Sequence, residues 1–321
     1  MLLDFETSLR NAKMPPRKTM KKLGTVKVNI VEATPVVWKD RLLRFEWLRP
    51  NTWGLAGQLA TGQVLSINGN YHFVDAFTEE EVGAQFAEGY AFGCCYSENG
   101  KMYAFGPDTA GGQNLDTFVS EDLVNWEKIE GIKLPEDIKI YNNSVCKAED
   151  KYVMAIEIGG TNPAVGVFFT CIFAESTDLV NWKMLDLMDY SYSRDYYSAC
   201  PCIRYYGGYY YMIYLEGAPH HRWFPYIVRS KDLKDWELGI TNPVMFPTNE
   251  DKIFYDESRF TESEKEYLLN AVDCNNSDFD LCEYKGKTYI IYSWGNQFGK
   301  EFLAMAEYDG SEEEFLKSFF S

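Results

Sequence analysis

The chain has 321 residues, of which 46% are hydrophobic and 16% aromatic, so it is long enough to bury a large core within one domain. It carries 31 Lys and Arg against 48 Asp and Glu, a formal net charge of -17, which disfavours binding to nucleic-acid phosphates or anionic membrane surfaces. No apolar stretch reaches the length of a membrane span, and the N-terminus lacks the pattern of a signal peptide. We therefore expect a cytoplasmic protein without nucleic-acid or membrane partners.

Few features interrupt the predicted β-structure along the chain. Residues 1–24 are expected to form an N-terminal arm, and the run Val26–Val31 that follows is expected to form a strand. Short helices are predicted at Thr78–Phe86 and at Thr261–Leu269. No linker rich in Pro, Gly or Ser divides the chain, so we expect a single domain over residues 1–321.

One sequence pattern recurs along the whole chain. A short apolar run, a polar turn and an aromatic-rich run follow each other in five segments, which begin at Thr34, Phe92, Asn143, Ala199 and Asp278. Turn residues between two β-rich runs are typical of hairpins. Five such starts predict an all-β fold, a single five-bladed β-propeller, with the strand at Val26–Val31 closing the ring on the last blade.

A second motif, S-x-D-L-x-x-W, marks the outer part of the repeat. It occurs three times, at Ser120–Trp126, Ser176–Trp182 and Ser230–Trp236, with its tryptophans about 55 residues apart. A tight turn held by a tryptophan suits the hairpin between the two outer strands of a blade.

Propeller topology selects candidate site residues, because the first strand of each blade begins at the mouth of the channel to which the second strand returns. The candidates before the first strands are Glu32, Asn142, Asn143, Asp195 and Asp278. Those after the second strands include Glu46, Glu157, Glu216 and Gln297, and the loop after Glu216 adds His220, His221 and Arg222. Trp294 lies near the same predicted mouth, where its ring would stack on a sugar.

The carboxylates among these candidates suggest acid–base chemistry. Glu157 and Glu216 each end an apolar, strand-like run, so burial is expected to raise the pKa of a carboxyl group there, as a general acid requires. A second carboxylate would then activate water or attack the sugar. Asp278 and Glu46 are the further catalytic candidates, and the remaining candidates are assigned to substrate binding.

No metal or cofactor is expected. The chain has only three histidines, no CxxC pair and no dense oxygen-ligand motif for calcium. Several of its 8 cysteines fall at matching places in the repeat, which favours packing near a crowded axis over disulfide or metal chemistry.

The repeated S-x-D-L-x-x-W turns resemble those of the family 43 glycoside hydrolases and the related families 32, 62, 117 and 130, over nearly the whole chain from about Glu32 onward. The resemblance implies a glycosidase whose substrate is an oligosaccharide or glycoside of plant or algal type. Family 43 members carry an Asp in the first blade, an Asp in the third and a Glu in the fourth. The corresponding places here hold no acid: Thr34-Pro35, Asn142-Asn143-Ser144 and Ser198-Ala199-Cys200.

Three functions follow from these observations. The preferred one is a glycoside hydrolase that uses Glu157 and Glu216 as its carboxylate pair. The second is a carbohydrate-binding propeller without catalysis, suggested by the missing acids. The third is a glycoside phosphorylase, whose phosphate pocket would draw on Arg194, Arg204, Arg222 and Arg229.

Overall fold

The computed structural model describes residues 19–49, 69–195, 197–219, 222–296 and 300–320. Within these ranges the chain forms twenty β-strands, two short α-helices and two turns of 3-10 helix. The all-β prediction is therefore confirmed. No helix in the described part of the chain is long and apolar enough to cross a membrane.

The strands follow one another as antiparallel hairpins, and four strands make a unit. The first unit contains β2 (Ala33–Trp38), β3 (Arg41–Leu48), β4 (Gly69–Asp75) and β5 (Glu81–Tyr90). The second contains β6 (Cys94–Glu98), β7 (Lys101–Pro107), β8 (Asn114–Ser120) and β9 (Glu127–Lys133). The third contains β10 (Ile138–Ala148), β11 (Lys151–Gly160), β12 (Thr170–Ser176) and β13 (Lys183–Met184).

The last two units share one sheet. The fourth unit contains β14 (Ser198–Tyr206), β15 (Tyr209–Ala218), β16 (Arg222–Ser230) and β17 (Trp236–Leu238). The fifth contains β18 (Asn275–Tyr284), β19 (Lys287–Gly295), β20 (Glu301–Tyr308) and, from the start of the chain, β1 (Lys21–Val28). A single parallel pair between Trp223 and Asn275 joins the two units into an eight-stranded sheet.

The N-terminal strand pairs antiparallel with β20, as its position in the last unit requires. It spans Lys21–Val28 and not the predicted Val26–Val31, so the end of the predicted arm belongs to the sheet. Lys22 lies in this strand, and its ammonium group is buried and donates a hydrogen bond to Asp251 at 2.7 Å. Lys22, which the sequence analysis placed in the N-terminal arm, therefore forms an internal ion pair.

The first strands of the units contact one another in sequence. β2 contacts β6, β6 contacts β10, β10 contacts β14, β14 contacts β18, and β18 contacts β2. Side chains from all five of these strands line a central cavity of about 430 Å³. The hydrophobic clusters lie between the units, where the faces of neighbouring sheets pack against each other.

The three S-x-D-L-x-x-W motifs form the predicted turns between the third and fourth strands of their units. In the first copy the Ser120 hydroxyl accepts a hydrogen bond from the amide of Leu123 at 2.9 Å, and Leu123 has a left-handed φ of 64°. The Trp126 indole donates to the Leu123 carbonyl at 3.2 Å. The same serine-to-leucine bond recurs at Ser176 and Ser230. The repeat is therefore a folded turn and not only a sequence pattern.

The helices of the described ranges are short. α1 (Glu262–Leu269) begins after the capping residue Thr261, which confirms the helix predicted there. α2 (Glu312–Lys317) lies near the C-terminus, and the 3-10 turns are Asn249–Lys252 and Glu257–Arg259. The helix predicted at Thr78–Phe86 is wrong, because this segment enters strand β5. Phe86 drives the difference, since its ring stacks on Trp126 of the neighbouring unit at 3.7 Å between centroids.

Candidate active site

Irregularities near the starts of three first strands shape the candidate site. β10, β14 and β18 each carry a register shift there, which takes Asn142, Cys200 and Asp278 out of the regular pairing. Cys200 and Asp278 also have left-handed φ values of 50° and 48°. A bulge turns side chains away from the normal alternation of a strand. All three residues consequently line one small cavity of about 30 Å³.

Glu157 on β11 is hydrogen-bonded to two residues that line this cavity, and only 3% of its own surface is exposed. Its Oε2 atom accepts hydrogen bonds from the Asn142 amide group at 3.1 Å and from the main-chain N–H of Cys200 at 2.6 Å. Burial raises the pKa of Glu157 to about 7; the two hydrogen bonds oppose this rise, and the charge of Asp278 adds to it. Neither bond uses Oε1, so within the described residues this oxygen is the one able to carry a transferable proton.

Asp278 occupies the centre of a group of acidic side chains. It accepts a hydrogen bond from the Ser293 hydroxyl at 2.7 Å. Its charge raises the pKa of Glu157, Glu32 and Glu301, each of which burial already raises. These four carboxyl groups therefore share one electrostatic site.

Glu32 and Glu301 flank Asp278 on the side of the first and fifth units. Burial raises the pKa of Glu32 to about 8 and that of Glu301 to about 7, while the nearby Arg49 guanidinium opposes both rises. Arg49 lies 3.9 Å from Glu32 and 4.0 Å from Glu301. Among the described residues, one oxygen of each glutamate is buried without a hydrogen bond. Such a site favours neutral carboxyl groups at neutral pH.

Sequence reasoning missed Glu301. It considered only the starts of first strands and the ends of second strands, whereas Glu301 begins β20, the third strand of its unit. A third strand begins at the edge where the second strand ends, so its first residue belongs to the same mouth. An acidic residue at the head of the apolar run FLAMA was the available signal.

Glu46 does not join this group, which corrects its assignment as a catalytic candidate. Its fully buried carboxylate accepts hydrogen bonds from Arg44 at 2.9 Å and Lys27 at 2.8 Å, and lies 3.0 Å from His72. Burial alone would raise the pKa of Glu46, but these three neighbours hold it well below its usual range. A carboxylate bound in this way has no proton to donate and no access to a substrate.

Glu216 is also separated from the group. It is half-buried on β15 and accepts a hydrogen bond from the Tyr214 hydroxyl at 2.9 Å, which in turn accepts one from Tyr192 at 2.8 Å. Burial raises the pKa of Glu216 and the Tyr214 hydrogen bond opposes the rise. Among the described groups, Asp278 contributes to the raised pKa of Glu157, whereas Glu216 does not. Asp278, and not Glu216, is therefore the carboxylate whose charge raises the pKa of Glu157.

The other predicted binding residues lie in different places. Asn143 lines the small cavity, donating to the Phe92 carbonyl at 2.9 Å. Asp195 and Arg222 are exposed and are not among its lining residues. His220, His221 and Gln297 lie outside the described residues.

The structure also corrects the prediction that Trp294 stacks on a sugar. Its ring is 0% exposed, and its indole N–H donates to the Thr25 hydroxyl at 2.8 Å. It stacks on Phe302 with 4.4 Å between ring centroids, inside the core of the last unit. The ring therefore has no face free for a sugar.

None of the four clustered carboxyl groups described above lines the larger central cavity. Arg204 projects into it and is already paired, donating to Asp280 at 2.6 Å and lying 3.1 Å from Glu312. The cysteines that line the cavity are free thiols, and burial raises the pKa of each: Cys94, Cys95, Cys146 and Cys282. Across the described ranges, no group of three or more His, Cys, Asp or Glu is arranged to hold a metal ion.

The arginines proposed for a phosphate pocket do not converge. Arg204 is bound to carboxylates in the central cavity, and Arg229 is paired with Glu237 at 2.7 Å on the surface. Arg194 donates to the Met188 sulfur, and Arg222 begins β16. This arrangement gives the phosphorylase hypothesis no common anion site.

Comparison with known proteins shows which solved structures have a similar fold. No protein-family model matches the chain, and no curated protein matches it by sequence. Solved structures of similar fold include a BT0996 RGII complex, with a TM-score of 0.60, 13% identity and coverage of 90% of this protein and 92% of that one. Another is an N-acetylgalactosamine deacetylase from F. plautii in complex with blood group B trisaccharide (TM-score 0.60, 12% identity, 94% and 98%).

A third similar structure is the GH43_1 enzyme from Xanthomonas citri in complex with xylose, with a TM-score of 0.54, 12% identity and coverage of 90% and 89%. At such low identities the similarity concerns the fold alone. The chain therefore shares the fold of these structures, among which are family 43 glycoside hydrolases, as its repeated turns predicted.

Proposed function

We propose that the chain is a single-domain, five-bladed β-propeller. Five four-stranded units support this, because the first strand of each unit contacts the first strand of the next, and β18 contacts β2. β1 would then close the ring by completing the last blade from the other end of the chain. Such closure leaves no long unpaired sheet edge.

We propose that the protein is a glycoside hydrolase acting on an oligosaccharide or glycan, with Glu157 as general acid and Asp278 as the second carboxylate. One observation carries this proposal: Glu157 is a buried carboxyl group hydrogen-bonded to Asn142 and Cys200, two residues that line the same cavity as the carboxylate of Asp278. A pair of carboxyl groups held in different environments is the arrangement that glycosidic cleavage requires.

In this proposal the Oε1 atom of Glu157 gives its proton to the oxygen of the leaving sugar as the glycosidic bond breaks. The charge that remains on Glu157 is stabilised by the Cys200 main-chain N–H and the Asn142 amide. Asp278 removes a proton from the attacking water or attacks the sugar itself. The cavity of about 30 Å³ beside it has room for a water molecule.

Glu32 and Glu301 would contribute to binding. Burial raises the pKa of both groups, so each can donate a hydrogen bond to a sugar hydroxyl near neutral pH. The charge of Asp278 and the formal net charge of -17 on the whole chain would also repel an anionic ligand at this mouth. The proposed substrate is therefore a neutral glycan.

The test compares the wild type with Glu157→Gln, Asp278→Asn and Glu216→Gln, with Glu175→Gln as a matched control. Glu175 lies on the neighbouring strand β12 and pairs with Lys151 away from the cavity. Each protein is incubated with arabino- and xylo-oligosaccharides, and products are separated by anion-exchange chromatography.

Product is expected from the wild type, from the control and from Glu216→Gln, and not from the first two variants. Near wild-type rates in both Glu157→Gln and Asp278→Asn would overturn the assignment. A wild type that binds these sugars without releasing product would instead support a carbohydrate-binding propeller, which the absence of acids at the family 43 positions favours. A rate that depends on phosphate would support a phosphorylase.

A further inference from the structure

Four aromatic rings from the third and fourth units stand together near Glu157. The aromatic wall, as we name this set, consists of Tyr141, Phe168, Phe169 and Tyr197. Phe169 is its centre, with its ring centroid 4.8 Å from Tyr141, 4.9 Å from Phe168 and 5.7 Å from Tyr197. Each contact is tilted or edge-to-face, as preferred for packed aromatic rings.

The wall borders the candidate site directly. Tyr141 precedes Asn142 in the bulge of β10, and Tyr197 precedes the start of β14. Burial raises the pKa of both tyrosines, and the charge of Glu157 raises each further, so both lie within electrostatic reach of that carboxyl group. The wall therefore adjoins the carboxyl cluster through Asn142, which follows Tyr141 and whose amide binds Glu157.

Phe168 is the exposed end of the wall. Its side chain is 45% exposed, and the neighbouring Val167 is 38% exposed. The other three rings are half-buried and support it. Val167 and Phe168 together therefore form an apolar patch beside a polar site, and contiguous apolar patches rimmed by polar groups mark ligand-binding grooves.

The position of the Phe168 ring is fixed by Gly159. A Cβ atom built on Gly159 would lie 2.5 Å from Cε1 and 2.6 Å from Cζ of that ring. The ring therefore rests on the bare backbone of β11, and only glycine leaves room for it. Glu157 lies two residues earlier on the same strand, so one strand positions both the carboxyl group and the ring.

We propose that the aromatic wall is a sugar-binding subsite in which Phe168 stacks on the C–H face of a neutral sugar ring next to the bond that Glu157 protonates. The identity of the bond rests on the proposed function, whereas the stacking does not. A sugar is the occupant that matches the surface, because it offers an apolar ring face to the wall and hydroxyl groups to the adjoining carboxyl cluster. A purely apolar ligand would leave those carboxyl groups without partners.

The experiment measures binding apart from turnover, in a Glu157→Gln background. The probes are soluble arabinoxylan and linear arabinan, and affinity is taken from the retardation of the protein in native gels that contain them. Phe168→Ala is expected to weaken binding about tenfold, the scale of one aromatic contact, and Phe168→Tyr to retain it. Gly159→Ala is expected to weaken binding as well, because its Cβ displaces the ring.

Val124→Ala provides the matched control, since Val124 is also an exposed apolar residue but lies on the turn after β8. Unchanged affinity in Phe168→Ala would overturn the subsite, and so would a parent protein that binds neither polysaccharide. Binding that depends on Phe168 in a protein whose wild type releases no product would support the subsite and refute the hydrolase. If the wild type hydrolyses these sugars and Phe168→Ala hydrolyses them equally well, the result would support the hydrolase and refute the subsite.

Discussion

Replacing Glu157 by Gln should stabilise the protein at alkaline pH and not at acidic pH. In the native state burial raises the pKa of Glu157 from its ordinary value of 4.5 to about 7. The native state therefore holds this proton more tightly than the unfolded state, and the stability it contributes is lost as pH rises through about 7. Each pKa unit corresponds to about 1.4 kcal/mol, so keeping Glu157 charged above pH 7 costs about 3 kcal/mol.

Glutamine removes this cost, because its carbonyl oxygen still accepts the hydrogen bonds from Asn142 and the Cys200 N–H. Urea denaturation at pH 5 and pH 8.5 measures the effect. The gain in unfolding free energy of the variant over the wild type should be about 2–3 kcal/mol larger at pH 8.5 than at pH 5. Glu32 and Glu301 are common to both proteins and cancel in this comparison, because their pKa shifts come from burial and from groups other than Glu157.

Glu175→Gln again serves as the control, since Glu175 is partly exposed and paired with Lys151. Its effect should be small and similar at the two pH values. If Glu157→Gln changed stability equally at pH 5 and pH 8.5, the carboxyl group would not hold a proton in the native state. The assignment of Glu157 as a general acid would then lose its physical basis.

Three further variants test the fold and the corrected residues by urea denaturation. Arg44→Met leaves the buried carboxylate of Glu46 without its main partner and should cost about 3–5 kcal/mol; a cost below about 1 kcal/mol would contradict the ion-pair role. Ser120→Ala removes the acceptor for the amide of Leu123 and should cost about 1 kcal/mol, with no loss expected if the turn were held by the tryptophan alone. Trp294→Phe should cost about 1–3 kcal/mol while leaving arabinoxylan binding unchanged, and weaker binding at equal stability would restore Trp294 to the site.

The fold could be predicted from the sequence because the motifs that specify its turns are local. The three S-x-D-L-x-x-W motifs specify turns through bonds within seven residues, such as the one from Leu123 to Ser120. Phe86 shows the limit of local signals, because its stacking on Trp126 depends on a neighbouring unit and turns a predicted helix into a strand. The N-terminal strand was placed in the last unit correctly, yet its bounds were not, and its residue Lys22 binds Asp251, which is distant in the sequence.

The candidate site could be predicted only in part from the sequence. Propeller topology identified the edge at which Glu157, Asn142 and Asp278 lie, since it depends on strand order alone. It did not reveal which way a side chain points at that edge. Glu46 turns into a cluster of cations between the first and last units, and Trp294 turns into the core. These outcomes depend on residues distant in sequence, which no local pattern specifies.

The measurement that tests the central claim most directly compares leaving groups in Glu157→Ala. A general acid is needed for a sugar leaving group but hardly at all for 2,4-dinitrophenol, which leaves without a proton. For the sugar that the wild type releases, kcat/KM on the unactivated oligosaccharide should fall by about 10²–10⁴. On the corresponding 2,4-dinitrophenyl glycoside it should fall far less. Equal losses on both substrates, or no loss on either, would contradict the role of Glu157 as the proton donor.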